Sequence, residues 1–317
     1  MVTALCLSLI VPLIAAVSAR RLAEWLPPRS ATWLLAGSAV VLAGASSGML
    51  GLLMLAAAVR IPLVAGLGHM SVARVIPHDP MPLPLGLAAA ALLAAAALAA
   101  VWVAWRRIGA LIAAHRQGRR LPGSGQVVVV SDEAADAYAV PGWPGRIVVT
   151  SGMMRALSTA ERRVLLAHER AHVTGHHYLF TAAARLAAAA NPLLRPVSDA
   201  AGYCVERWAD ERAATATGDR ALTARAIARA ALAAAASPQR RPEPALGVAA
   251  VPDGLRGAGV MPRRVAALLR PPPRRARLAL LAVAAALVMV CGLAVLEAGL
   301  DLHALIELAQ GPVIGPR

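Results

Sequence analysis

Four apolar stretches constrain this chain more than anything else in it: residues 3–19, 31–59, 83–105 and 278–296. A hydrocarbon core about 30 Å thick is crossed by about 20 apolar residues in a helix, and within it every backbone polar group must be bonded inside the element itself. The four stretches therefore predict membrane-spanning helices. Composition agrees, because 58% of the 317 residues are hydrophobic and only 15% are charged, which is not the balance of a soluble domain.

A net charge of +15 raises the question of a nucleic-acid partner, and the location of the charge answers it. Arg20, Arg21 and Arg29 follow the first stretch, and Arg106, Arg107, Arg116, Arg119 and Arg120 follow the third. Arg263, Arg264, Arg270, Arg274, Arg275 and Arg277 precede the fourth, whereas residues 60–82 hold only Arg60 and Arg74. The positive-inside rule then places the N-terminus, the second loop and the tail after Leu296 outside, and everything from Arg106 to Arg277 in the cytoplasm. No helix suited to reading DNA is evident, so direct nucleic-acid contact is not expected, and the basic flanks are assigned to the lipid bilayer. Arg20 and Arg21 follow the first apolar run instead of preceding it, the reverse of a signal peptide, so that run is expected to remain as a span. Cys6, Cys204 and Cys291 are too scattered for a disulfide framework or a paired-cysteine zinc module.

A fifth apolar stretch, residues 178–194, contains Arg185 and is broken by Asn191-Pro192. It is too short to span and reads as a buried or membrane-grazing helix. An Ala-rich, partly exposed helix is expected over residues 219–237, followed by a Pro-rich linker at 238–244.

Between Gly123 and Arg220 the composition changes to something able to fold outside a bilayer. Residues 126–131 and 146–150 are β-branched runs separated by Pro141-Gly142-Trp143-Pro144-Gly145, which predicts two strands and a turn, the second strand being either an edge for an extended peptide or an ordinary paired strand. Ser158 and Glu161 have the spacing of a capping box and open a helix that runs through His172.

That helix carries His168-Glu169-Arg170-Ala171-His172. Two histidines four apart share a helical face and can both reach one tetrahedral zinc, with the intervening glutamate placed to take a proton from a metal-bound water. A metal needs a third protein ligand. The position six residues after His172 is Tyr178, which disfavours a third histidine there even though Gly175 fits that pattern. Glu206, 34 residues beyond His172, is the alternative, and Asp210 one turn later is suited to accept the outer N–H of a ligand histidine. His176 and His177 are read as solvated or supporting histidines, Cys204 as a packed thiol, and Trp143 and Trp208 as packing or interface anchors.

These residues carry a family resemblance. Asp136 to Gly142, Ile147 to Gly152, Leu157-Ser158, His168 to His172, Asn191-Pro192 and Glu206 to Glu211 resemble the BlaR/MecR-type integral membrane zinc peptidases, and are similar to the HtpX-like and CAAX prenyl endopeptidases. The resemblance is strongest over residues 126–212. It implies a gluzincin-like fold with His168, His172 and Glu206 as Zn2+ ligands, Glu169 as catalytic base and Asp210 supporting a ligand histidine. The architecture expected is a membrane α-helical bundle of four spans with an inserted α+β zinc metallopeptidase domain. Its parts are residues 1–105 with three spans, 106–276 with the cytoplasmic metal domain, and 277–317 with the fourth span and a short outer tail.

The expected function is a multi-pass zinc endopeptidase of a bacterial-type cell membrane, cutting a regulatory or membrane-associated protein and acting in signal transduction. A BlaI/MecI-type repressor is the partner the resemblance suggests. A non-catalytic signalling scaffold and a broad quality-control protease are the alternatives. Asp136 stands where the endopeptidase relatives usually have Asn, and no penicillin-binding sensor domain follows the fourth span, so the chain has no claim to be a β-lactam receptor.

Overall fold

The structure is a computed structural model that describes residues 2–58, 60–61, 83–120, 125–142, 145–237, 259–271 and 278–310. The expected linker at 238–244, Trp143, Arg74, Arg274, Arg275 and Arg277 lie outside the described residues. In chain order the elements are α1 (Val2–Trp25), α2 (Pro28–Ala58), α3 (Leu83–Arg120), β1 (Val127–Val130), β2 (Ala137–Val140), β3 (Arg146–Thr150), α4 (Ser151–Ala156) and α5 (Thr159–Thr174). They continue with α6 (His177–Ala190), a 3₁₀ turn (Pro192–Leu194), α7 (Arg195–Thr217), α8 (Arg220–Ala236), α9 (Val260–Leu269) and α10 (Leu278–Gln310).

Four helices, α1, α2, α3 and α10, are long and apolar enough to cross a membrane, as the four apolar stretches predict. Three outrun those stretches. α1 continues to Trp25, α3 carries the arginines from Arg106 to Arg120 on its own extension, and α10 runs on to Gln310. The tail expected to start after residue 296 is thus mostly helix, because nothing between Gly299 and Gly311 breaks it.

The fifth apolar stretch is α6, and it ends at Asn191-Pro192, where a proline ring disfavours helical backbone in the residue before it. α6 and the start of α7 form a helical hairpin packed against α1 and α2. Ala184 and Ala187 of α6 and Val197, Ala200, Ala201 and Cys204 of α7 share one core with Leu35, Ala39 and Leu42 of α2. Small residues on both sides allow this close approach. At the hairpin tip Asn191 is buried with its side-chain polar groups satisfied. Asn191 Nδ2 donates to Ser46 Oγ at 2.9 Å, its Oδ1 accepts from the Leu193 N–H at 3.1 Å, and Ser46 in turn donates to the Ser8 carbonyl.

The sheet has three strands in the order β1-β3-β2, with β1 parallel and β2 antiparallel to β3. One expectation is corrected here and one open alternative is decided. β2, with two alanines in four residues, lacks the β-branched signal and is recruited by pairing Ala137 to Val149 and Val140 to Arg146. β3 is paired on both sides, so it is not an edge; β1 and β2 are the outer strands among the described residues. A second core lies under the sheet and joins Ile147 and Val149 to Met153, Leu157, Leu165 and Ala230. It brings β3, α4, α5 and α8 together. α8 occupies the Ala-rich stretch as expected, with Asp219 accepting from the Leu222 N–H.

Replacing Asn191 by Ala removes one buried hydrogen bond at the hairpin tip and one cap bond, and leaves the Ser46 hydroxyl short of a donor. The expected cost is about 1–2 kcal/mol, read as a lower unfolding midpoint in detergent micelles. An unchanged midpoint would show that this bond network does not hold the hairpin in place.

Candidate metal centre

α5 begins with the expected capping box. Ser158 Oγ accepts from the Glu161 N–H and Glu161 Oε2 accepts from the Ser158 N–H, so two otherwise free donors of the first turn are satisfied. Val164 and Leu165 face inward, which turns the following histidines toward α7. His168, Glu169 and His172 are all buried. α7 crosses beside them and supplies Glu206 and Asp210.

The donor atoms of His168, His172 and Glu206 lie within 4.8 Å of one another. The two Nε2 atoms are 3.1 Å apart, and Glu206 oxygens lie 3.6 Å from His168 Nε2 and 3.7 Å from His172 Nε2. Donors bound about 2.0–2.1 Å from a tetrahedral zinc stand roughly 3.4 Å from each other. The three side chains therefore fit one zinc in spacing and in chemistry, two imidazoles and a carboxylate with no thiol among them. Cys204 is not near enough to matter as a ligand. It is buried, its sulfur faces the Ala23 carbonyl, and burial pushes its thiol up to about 12.

The groups around the donors are placed to orient them. Asp210 Oδ1 lies 3.0 Å from His168 Nδ1, so the outer nitrogen of that ring faces a carboxylate while the inner one faces His172 and Glu206. His177 does the equivalent for the other ring, with its Nδ1 3.0 Å from His172 Nδ1. It reaches that position through a tight turn. α5 stops at Gly175, His176 takes a left-handed conformation with φ 48°, and α6 doubles back so that His177 sits under His172. A Cβ on Gly175 would meet the His177 ring at 2.5 Å, so this glycine is required by close approach. Trp208 packs on the other side of His177 with ring centroids 4.5 Å apart, which fits its expected role as a packing anchor.

Arg264 is the residue that sequence reasoning missed. It stood in the arginine cluster assigned to the flank of the fourth span. α9 instead folds it inward to 4% exposure, where its guanidinium donates to both oxygens of Asp210 at 2.6 and 2.8 Å and lies 3.1 Å from Glu206 Oε2. The available signal was phase: Arg264 shares with Leu268 the buried stripe of an amphipathic helix, whereas its neighbour Arg263 is half-exposed, bonds Glu24 and lies over the Tyr203 ring.

Electrostatics follow from burying three carboxyls, three imidazoles and one guanidinium together. Burial disfavours charge on every one of them, but the Arg264 guanidinium and the histidines hold Glu206 and Asp210 well below the usual carboxylate range. Burial also opposes charge on His168, and Asp210 and Glu206 outweigh it and raise that ring to about 10. Burial wins at His172, lowered to about 4, and at His177, lowered to about 3. Glu169 is the one carboxyl here raised, to about 7, by burial first and then by Glu206 and Asp136 against the opposing pull of His168 and Arg264. Its Oε2 is buried without a hydrogen-bond partner. A buried, unpaired oxygen on a carboxyl that titrates near neutrality is suited to accept and return a proton.

Beside the donors runs a cleft lined by Ala139, Gly142, Tyr178, Thr181, Arg185 and Val205, with His172 and Glu206 in its wall. Outer strand β2 forms one side and α6 the other.

Replacing Arg264 by Gln leaves Asp210 and Glu206 buried without their shared cation. In the metal-free protein this is expected to cost about 3 kcal/mol, measured as denaturant unfolding in micelles, and less in protein loaded with zinc, because the metal supplies positive charge at the same carboxylates. Equal stability of variant and parent in the metal-free state would remove Arg264 from this role.

Residues 105–194 match the family model of peptidase family M48. The match takes in the end of α3, the sheet and α4 to α6, hence His168, Glu169 and His172, and stops before Glu206 and Asp210; it covers less than a third of the chain. No curated protein and no solved structure matches the chain. Over the matched segment the chain is similar to the M48 metallopeptidases, a generally zinc-dependent class, and this supports a metallopeptidase carried by a membrane protein.

Proposed function

We propose that the chain is a membrane-embedded zinc endopeptidase of HExxH gluzincin type, with His168, His172 and Glu206 as metal ligands and Glu169 as general base. The observation that carries the reading is the convergence of three metal-ligating side chains, spaced as one tetrahedral ion requires, beside a buried glutamate with an unpartnered oxygen. When bound there, zinc supplies Lewis acidity toward the scissile carbonyl and a water of lowered pKa. Glu169 would serve as general base and then general acid, accepting a proton on its free oxygen and passing it to the leaving amine. Asp210 and His177 hold the two ligand rings in the tautomer that leaves each Nε2 free for the metal, and Arg264 keeps Asp210 ionised for that task. An extended substrate is read along the outer strand β2, where Ala139 borders the cleft, through main-chain hydrogen bonds.

The narrower resemblance is to the BlaR/MecR type. It suggests residues 106–276 as the cytoplasmic peptidase unit of a multi-pass cell-membrane protein, and a regulatory or membrane-associated protein, such as a BlaI/MecI-type repressor, as substrate. Arginines concentrated on one side of the spans support that orientation.

Newly formed protein N-termini are compared by mass spectrometry in cells expressing the parent and Glu169→Gln. One or a few termini that depend on Glu169 are expected, with activity in the variant lower by a factor of about 10³ and zinc content unchanged; termini identical in both would leave the zinc site without a catalytic role. His168→Ala and Glu206→Ala are expected to lose most of their zinc, and full stoichiometric zinc in both would refute the ligand set.

The pH profile has a definite sign. Glu169 acts as base only when deprotonated, its carboxyl is raised to about 7 in the metal-free site, and a cation pulls it down. The acid limb of kcat/KM is therefore expected below pH 7, with activity level above it. A rate still climbing tenfold per pH unit at pH 8 would assign the proton transfer to another group.

A reporter fused after Thr215 is expected in the cytoplasm and one at Gly68 outside, and the reverse pattern would overturn the orientation.

A further inference from the structure

A second, larger cavity lies away from the metal donors, between α2, α3 and the α6–α7 hairpin, with a volume of about 1130 Å³. One wall is apolar, formed by Leu50 of α2 and Leu92 and Trp102 of α3. That wall is open: Leu92 and Trp102 are themselves 60% and 55% exposed on the apolar surface of α3. The cavity thus opens onto the surface that a bilayer would cover.

Its other wall is predominantly basic. Arg106 and Arg107 come from the end of α3, Arg185 from α6 and Arg195 from the first turn of α7, against a single carboxylate, Asp199, which neighbours Arg185. The Arg106 guanidinium lies 4.9 Å from the centre of the Trp102 ring, which fixes it at the boundary between the apolar and charged parts. Charged side chains at membrane depth are costly unless they face a cavity and meet a partner of opposite sign, and basic pockets between spanning helices are suited to anionic headgroups.

We propose that this cavity is a binding site for an anionic phospholipid, whose phosphate is held by Arg106, Arg107 and Arg185 while its acyl chains lie along Leu50, Leu92 and Trp102. The chemistry selects a lipid over a free anion because the apolar wall is contiguous with the guanidinium groups. It favours a lipid over a transmembrane helix because the distinguishing feature is an excess of positive charge at one end. Arg185 also lines the cleft beside His172 and Glu206, so a bound headgroup sits next to the wall of the metal centre. The site stands independently of the peptidase reading, because bound lipid and not cleavage is what is measured.

The test uses the full-length protein in a neutral detergent, titrated with phosphatidylglycerol or phosphatidylcholine and read by native mass spectrometry. Expected is one phosphatidylglycerol per chain, bound on the order of tenfold more tightly than phosphatidylcholine. That preference is lost in Arg106→Gln/Arg107→Gln and reduced in Arg185→Gln. It is kept in Arg119→Gln/Arg120→Gln, a pair exposed on the last turn of the same helix and away from the cavity. Equal binding of the two lipids, as a groove for an apolar helix would give, would overturn the proposal. So would equal losses in the two arginine pairs, or glycerol 3-phosphate binding as tightly as the lipid.

Discussion

The structure depends on how charge is buried where α5 crosses α7. Glu206 and Asp210 of one helix and His168 and His172 of the other lose most of their hydration, and an isolated buried charge costs far more than any single packing contact returns. The cluster is tolerable because its signs are interleaved. Asp210 is shared between His168 and Arg264, Glu206 faces both histidines and the same arginine, and the two carboxylates stay ionised. His168, raised to about 10, carries in the metal-free protein a proton at the place where the donor geometry fits a divalent ion. A zinc ion bound there would exchange a proton for a metal within a frame that is already polarised for positive charge. Only Glu169 lacks a counter-charge in direct contact, which is why it is the one carboxyl held near neutrality.

The hairpin of α6 and α7 solves a second problem of burial. An apolar segment with an arginine in it and an Asn-Pro at its end is a poor span, yet it packs among the long apolar helices because its polar groups meet protein or a cavity. Asn191 bonds Ser46, and Arg185 looks onto a cavity on one side and the metal cleft on the other. Irregular backbone at such a position is tolerated only under these conditions.

Much of this was legible in the sequence because the signals are short-ranged. The spans announce themselves by length, the capping box by its three-residue spacing, and the His168-Glu169-His172 face by helical period. Glu206 and Asp210 could be singled out as neighbours of the histidines, because a metal would demand a third ligand and a ligand histidine an acceptor, and the structure brings both side chains there. What escaped was set by tertiary placement. β2 is strand only because β3 pairs it, and β3 is not an edge for the same reason. Arg264 hid among arginines that look like a membrane flank, since composition counts charges without saying which one turns inward. The ends of α1, α3 and α10 were set too short because apolar composition marks the stretch that prefers lipid, whereas a helix continues until a breaker stops it.

α7 ties these observations together. Its first half, with Val197, Ala201 and Cys204, belongs to the core shared with α1 and α2, and its second half presents Glu206 and Asp210 to α5. α5 in turn is seated on the sheet core through Leu165. The histidines thus lie on a helix seated on the core under the sheet and the glutamate on a helix rooted among the long apolar helices, and Val164 of α5 and Ala213 of α7 pack together between them. A metal ion bound to all three donors would add to that direct packing, and its affinity would depend on how rigidly the two helices are held as well as on the three donor atoms. For the same reason the position of Glu206 is set by helices far outside the stretch that carries the histidines. Removing α1 and α2 would uncover the apolar face of α7 and release Glu206 from its register.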